Sequence, residues 1–208
     1  MLGAREVSDA VADRLAELLP SEVSRLDAEL GTATAGTVPG EDPVADLDAQ
    51  PRLVTSTATP AEGVGFDHWP LVQVAAPRIV STAVVDRGGP EGDLVRQRWS
   101  LRLGVWARGD GYERTAAVRD RLTLAVLELL LRHPTWRLER GVIAVVPDRL
   151  AGEVATVEED GQGAMVSAAR VSVEVDVDSW LTPARAEHGP ATTVTTDTRA
   201  IPYRHPAL

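Results

Sequence analysis

Cysteine is missing from the chain's 208 residues, and so is lysine. Without a thiol there is no disulfide and no thiolate metal site, and nothing calls for an oxidising compartment. The basic residues are all arginine, which alongside plentiful Ala, Val, Gly and Asp reads chiefly as the composition of a GC-rich genome. Aromatic residues are few, with one Phe and two Tyr beside five Trp. Long apolar runs are missing too. Glu128 and Arg132 interrupt the longest, and none approaches the roughly 18 residues of a membrane-crossing helix. The opening residues carry Arg5, Glu6, Asp9, Asp13 and Arg14, unlike the apolar core of a secretory leader. The expectation is a soluble protein that stays where it is made and contacts no membrane.

What is present suits an ordinary globular chain. An apolar fraction of 44% with 25% charged residues can bury a core without staples. The net charge of −10 and pI near 4.9 argue against a sequence-specific nucleic-acid binder. They leave room for a surface that DNA slides past.

Residues 96–131, RQRWSLRLGVWARGDGYERTAAVRDRLTLAVLELLL, change period abruptly. Trp99, Leu101, Leu103, Val105 and Ala107 alternate with Arg96, Arg98, Ser100, Arg102 and Gly104, which predicts a half-buried antiparallel strand. A short turn follows, where Asp110 as N-cap and Glu113 as its reciprocal partner predict a capping box. In the helix beyond, Val118, Leu122, Val126, Leu129 and Leu130 form a stripe that Leu124, Leu127 and Leu131 widen. A helix that apolar packs between layers or meets another subunit. His133-Pro134 ends it.

Upstream, Val7, Val11, Leu15, Leu18 and Leu19 mark a helical face that Pro20 is expected to end. Ser21 then caps a second short helix stopped at Gly31, although one bent helix fits equally well. Residues 32–70 lose periodicity except for a short possible strand at 53–57, and read as a long connection. The run 71–86 is strand-like, with Pro77 marking an edge or bulge, and RGGPEGD suits a hairpin turn. Downstream, GVIAVVP reads as a short strand ending at Pro147, followed by a turn and a further short strand. ARVSVEVDVDSWL gives the cleanest alternation, Val171, Val173, Val175 and Val177 against Ser172, Glu174, Asp176 and Asp178. From 182 the period vanishes, and Ile201, Tyr203 and Leu208 stand near the tip of what is either a docking arm or an unstructured terminus.

The fold class expected is α+β: a mixed or antiparallel sheet of four to five strands, packed by an N-terminal helix and one long central helix. Residues 1–181 form one domain and 182–208 an extended arm.

Chemistry is scarce. His68, His133, His188 and His205 lie apart, and no HExxH, nucleophile elbow or phosphate loop occurs. Asp176 and Asp178 share a strand face and could hold a divalent ion, but a solvated strand edge explains them more simply. No catalytic residue, metal or cofactor is expected. Trp106 falls opposite Trp99, beside Arg102 and Arg108, where it serves as an interface anchor or lies under a second helix. Tyr112, Leu127 and Leu131 are further contact candidates, with Ile201 and Tyr203 of the arm.

The unit WSLRLGVWARGDGYERTAAVRDRLTLAVLELLL resembles the central strand–turn–helix of tail terminator (tail completion) proteins of long-tailed bacteriophages. The N-terminal helix, the hairpin and the late strands extend the resemblance over most of residues 1–181. The 32–70 connection and the C-terminal arm depart from it. The resemblance implies a virion protein of the tail and neck, assembled in the host cytoplasm. It implies a homo-oligomeric ring, usually a hexamer, that caps the tail tube protein, stops tail polymerisation and meets a head-completion or connector protein. DNA would pass through the lumen without specific binding. A head–tail connector or stopper ring, or the cap of a contractile injection tube, shares these features. A small-molecule binding domain or enzyme is the rival of a different class.

Overall fold

The computed structural model describes residues 2–34, 47–56, 68–89, 92–139, 141–159 and 164–181. These form helix α1 (Ala4–Thr34), strands β1 (Leu53–Thr55), β2 (Leu71–Gly89) and β3 (Gly92–Gly109), helix α2 (Tyr112–Arg132), and strands β4 (Thr135–Leu138), β5 (Gly141–Glu159) and β6 (Met165–Leu181). The class is α+β. The sheet has six strands rather than the four to five expected, in the order β1-β2-β3-β6-β5-β4. β1 runs parallel to β2, and the remaining pairs are antiparallel. Both helices pack on one face of this sheet, on Val72, Val74, Trp99, Leu101, Leu103, Ile143 and the valine row of β6.

The alternation in β3 and β6 is realised as read. Leu101, Leu103, Val105 and Ala107 are fully buried, as are Val171, Val175 and Val177. β6 is, however, an interior strand between β3 and β5, so Asp176 and Asp178 do not lie on a sheet edge. Gly89 pairs with Gly92, so β2 and β3 form the expected hairpin, and Gly88 takes the positive φ of 72° that its turn requires.

Several boundaries differ. α1 is a single 31-residue helix containing Pro20, and the longer of the two, since α2 has 21 residues. Pro20 lacks an N–H for the Ala16 carbonyl, but both residues lie on the exposed side where water can replace that bond. Leu15, Leu19, Val23 and Leu26 bury one continuous stripe across the proline, and this burial carries the helix through. The helix also runs past Gly31, to Thr34.

The expected capping box does not form, and the N-cap lies one residue later than Asp110. Gly111 is the N-cap, its carbonyl accepts the first helical bond from Thr115 N–H at 3.0 Å, and no side chain caps the turn. Asp110 lies outside the helix, so it cannot reach the amide it was assigned. At the start of α1 the reciprocal half of such a box does occur, with Gly3 N–H donating to Glu6 Oε2 at 2.7 Å.

β5 continues through Pro147 to Glu159, with a register shift against β6 between Val146 and Ala151 that accommodates the proline. The 32–70 connection is not structureless throughout. Leu47 and Ala49 enter the core and β1 follows, while 35–46 and 57–67 fall outside the described residues.

The sheet is curled. α1 packs on β1 and β2 at one edge, and its first turns also line a groove with β4 at the other. Ser56, just past β1, donates to Asp9 of the same helix. The N-terminal half of α1 thus lies between the two margins of the sheet.

Candidate assembly surfaces

The sheet face opposite the helices carries an ordered charge pattern. Arg98 Nε and Nη2 donate to the two oxygens of Asp176 at 2.7 and 2.9 Å, and Arg96 does the same to Asp178 at 2.7 Å each. The register places each arginine directly opposite its aspartate. Two parallel bonds per pair fix both planes and raise the strength above that of a single contact. The Arg98 bonds hold the Asp176 carboxyl below the ordinary aspartate range, against the opposing effect of partial burial. The same bonds, to Asp176 and Asp178, raise the affinity of Arg98 and Arg96 for their protons. Of the acids expected on this face of β6, Asp176 and Asp178 are therefore neutralised pairwise by β3, while Glu174 stands opposite Ser100.

Trp106 lies on this same face, half-buried. A Cβ added to Gly104 would fall 2.6 Å from its indole Nε1, so the ring rests against its own strand where only a glycine leaves room. Arg108 is half-buried two residues on.

The helix side behaves differently. Leu127 is partly buried and reaches β5, with its Cδ1 3.4 Å from the position of a Gly152 Cβ. Leu124 and Leu131 remain 39% and 51% exposed, which leaves part of the widened stripe of α2 uncovered within the chain. Tyr112 is 61% exposed at the opposite end of α2, about 28 Å from Leu131 along the axis at roughly 1.5 Å per residue. The structure therefore does not gather the candidates into one patch. Trp106 and Arg108 lie on one sheet face, Leu127 and Leu131 on the helix layer of the other. Ile201 and Tyr203 lie outside the described residues.

Three features escaped the sequence reading. The helices are tied by a charge network in which Glu22, only 6% exposed, accepts from Arg25 at 2.7 Å and stands 3.4 Å from Arg132. Arg25 also binds Glu128 and Arg121 binds Asp27, each joining α1 to α2. The helical spacing of Glu22, Arg25 and Glu29 was the available signal. The second feature is a groove of about 650 Å³ between α1 and β4, with Leu2, Ala10, Trp136 and Leu138 as apolar lining, Glu6, Asp9, Asp13, Glu17 and Glu139 as acids, and Arg14 and Arg137 as bases. Trp136 is buried there with no partner for its Nε1. The third is the outer margin of β2. β1 covers only Leu71–Gln73, and among the described residues no strand pairs with the outer side from Val74 to Gly89. Ile79, Val80, Val84 and Val85 there are 45–49% exposed.

Among the described residues no group of three His, Asp or Glu side chains could hold a metal ion, and no helix is long and apolar enough to cross a membrane. In comparison with known proteins, no family model matches the sequence and no curated protein matches it.

Proposed function

We propose that this chain is a structural protein of a long-tailed bacteriophage, a tail terminator. It forms a ring, hexameric by the resemblance, on the end of the tail tube, stops further polymerisation and offers the surface to which the head is joined. The observation that carries the proposal is the continuous unit of β3, turn and α2, the part of the chain most similar to that family. Leu124 and Leu131 of α2 stay exposed in the single chain and suit burial against a neighbouring subunit. The net charge of −10 fits a channel that DNA traverses without adhering, because phosphates are repelled. An arginine-lined lumen would remove that last support.

The test is the mass of the purified protein by light scattering, with and without tail tube protein. A six-fold ring, or a smaller species that assembles on tubes and fixes their length, supports the proposal. A protein indifferent to tubes refutes it. A stopper ring or an injection-tube cap differs by position in the particle, which electron microscopy of labelled particles separates.

A second reading rests on the α1–β4 groove. Its apolar lining and acidic rim suit a small cationic ligand in a binding domain. Saturable binding of such a ligand by a monomer that ignores tubes would favour it.

A further inference from the structure

We propose that the free margin of β2 pairs antiparallel with the same margin of a second copy, about a two-fold axis through Thr82. The segment from Arg78 to Asp86 reads RIVSTAVVD. Set against itself in reverse, it places Arg78 opposite Asp86, Ile79 opposite Val85, Val80 opposite Val84, Ser81 opposite Ala83, and Thr82 opposite Thr82. The four large apolar residues meet one another, and each end is closed by an ion pair. A two-fold contact makes each such pair twice.

The local structure supports this register. Arg78 and Asp86 pair with Ser100 and Leu94 of β3, which share the outer sheet face, so both charges project to one side. Ser81 and Ala83 pair with Arg98 and Arg96 on that same face, and Thr82 with Gln97 on the other. β2 shifts register twice in this span, between Ile79 and Ser81 and between Val84 and Asp86. Each shift reverses the facing of the residues beyond it. Because one falls on each side of Thr82, the two reversals cancel and the end charges return to a common face.

The margin also needs a cover. β-branched residues exposed on an unpaired strand are a template for strand addition, and Ile79, Val80, Val84 and Val85 are each nearly half exposed. A self-complementary partner satisfies the backbone and buries these side chains together. This contact closes on itself, whereas a ring is built from head-to-tail contacts, so the pairing stands or falls independently of the proposed function.

The experiment is sedimentation of the full-length protein over a range of concentrations, with circular dichroism to show that each variant is folded. The wild type is expected to dimerise. R78D and D86R each put like charges opposite one another at both ends, and each should raise the dissociation constant about tenfold. R78D/D86R restores opposite charges in this register alone and should recover wild-type dimerisation. A second measurement uses the absence of cysteine. Thr82→Cys should form a covalent dimer under mild oxidation much faster than Ala16→Cys on the exposed side of α1. A wild type that stays monomeric, single reversals without effect, a double variant that fails to recover, or equal cross-linking of the two cysteine variants would each overturn the pairing.

Discussion

Arg98 of β3 and Asp176 of β6 face each other across adjacent strands, joined by two parallel hydrogen bonds of 2.7 and 2.9 Å. The side chains are 37% and 19% exposed, so the pair sits between a solvated surface contact and a buried one. Asp176→Asn should therefore cost about 1 kcal/mol at neutral pH, within the discounted range for such pairs. The carboxyl is held below its ordinary range when folded. Its contribution is then complete above the unfolded aspartate value of about 3.9 and disappears as pH falls through the lower folded value. Urea midpoints at pH 6 and pH 3 should differ less in Asp176→Asn than in the wild type. An unchanged difference would show that the pair contributes nothing.

Close backbone approach sets the next expectation. A Cβ on Gly141 would stand 2.2 Å from the carbonyl oxygen of Asp178, and a strand backbone cannot swing aside as a side chain can. Gly141→Ala should destabilise by about 1–3 kcal/mol through overpacking. A melting temperature within a degree of wild type would mean that β5 can move away from β6 at that point.

Gly104→Ala tests a different consequence of crowding. The atom it meets belongs to the Trp106 ring, which can rotate outward. Stability should change little, while acrylamide quenching of tryptophan emission rises. The rise should be absent when the same change is made in a Trp106→Phe protein. Equal quenching in both backgrounds would place the disturbance elsewhere.

Glu22 anchors the contact between the helices. Removing its charge leaves Arg25 and Arg132 without their buried partner. Both arginines retain some solvent access, so Glu22→Gln should cost about 2 kcal/mol, below the value for a fully buried pair. Denaturant titration reads this directly. A loss no larger than that of an exposed control such as Arg5→Gln, whose side chain is 93% exposed, would contradict the assignment.

Alternation was the most legible property of the sequence. It identified the buried faces of β3 and β6 residue by residue, because each strand has one face on the helices and one without them. Punctuation misled. Pro20 and Pro147 mark boundaries by local rules, yet the first lies where its missing bond faces water and the second where the strand shifts register. β4 was invisible because four residues hold no period, and Trp136 becomes a core residue only once β5 lies beside it. The pairing of Asp176 with Arg98 links positions on strands remote in sequence, and no local pattern encodes strand order. The exposure of β2 follows from the same fact, since a margin is defined by which neighbour is absent.

β6 is the last described strand, yet it occupies the middle of the sheet, with Val175 paired to Trp99 on one side and Val145 on the other. During synthesis the β1-β2-β3 portion and the β4-β5 portion must therefore wait as separate pieces with raw inner margins. A chain cut before Met165 would hold two half-sheets and no finished core. Arrival of β6, the last described strand, acts as a zip that joins them, so chaperone demand should be greatest in the interval between release of β5 and arrival of β6.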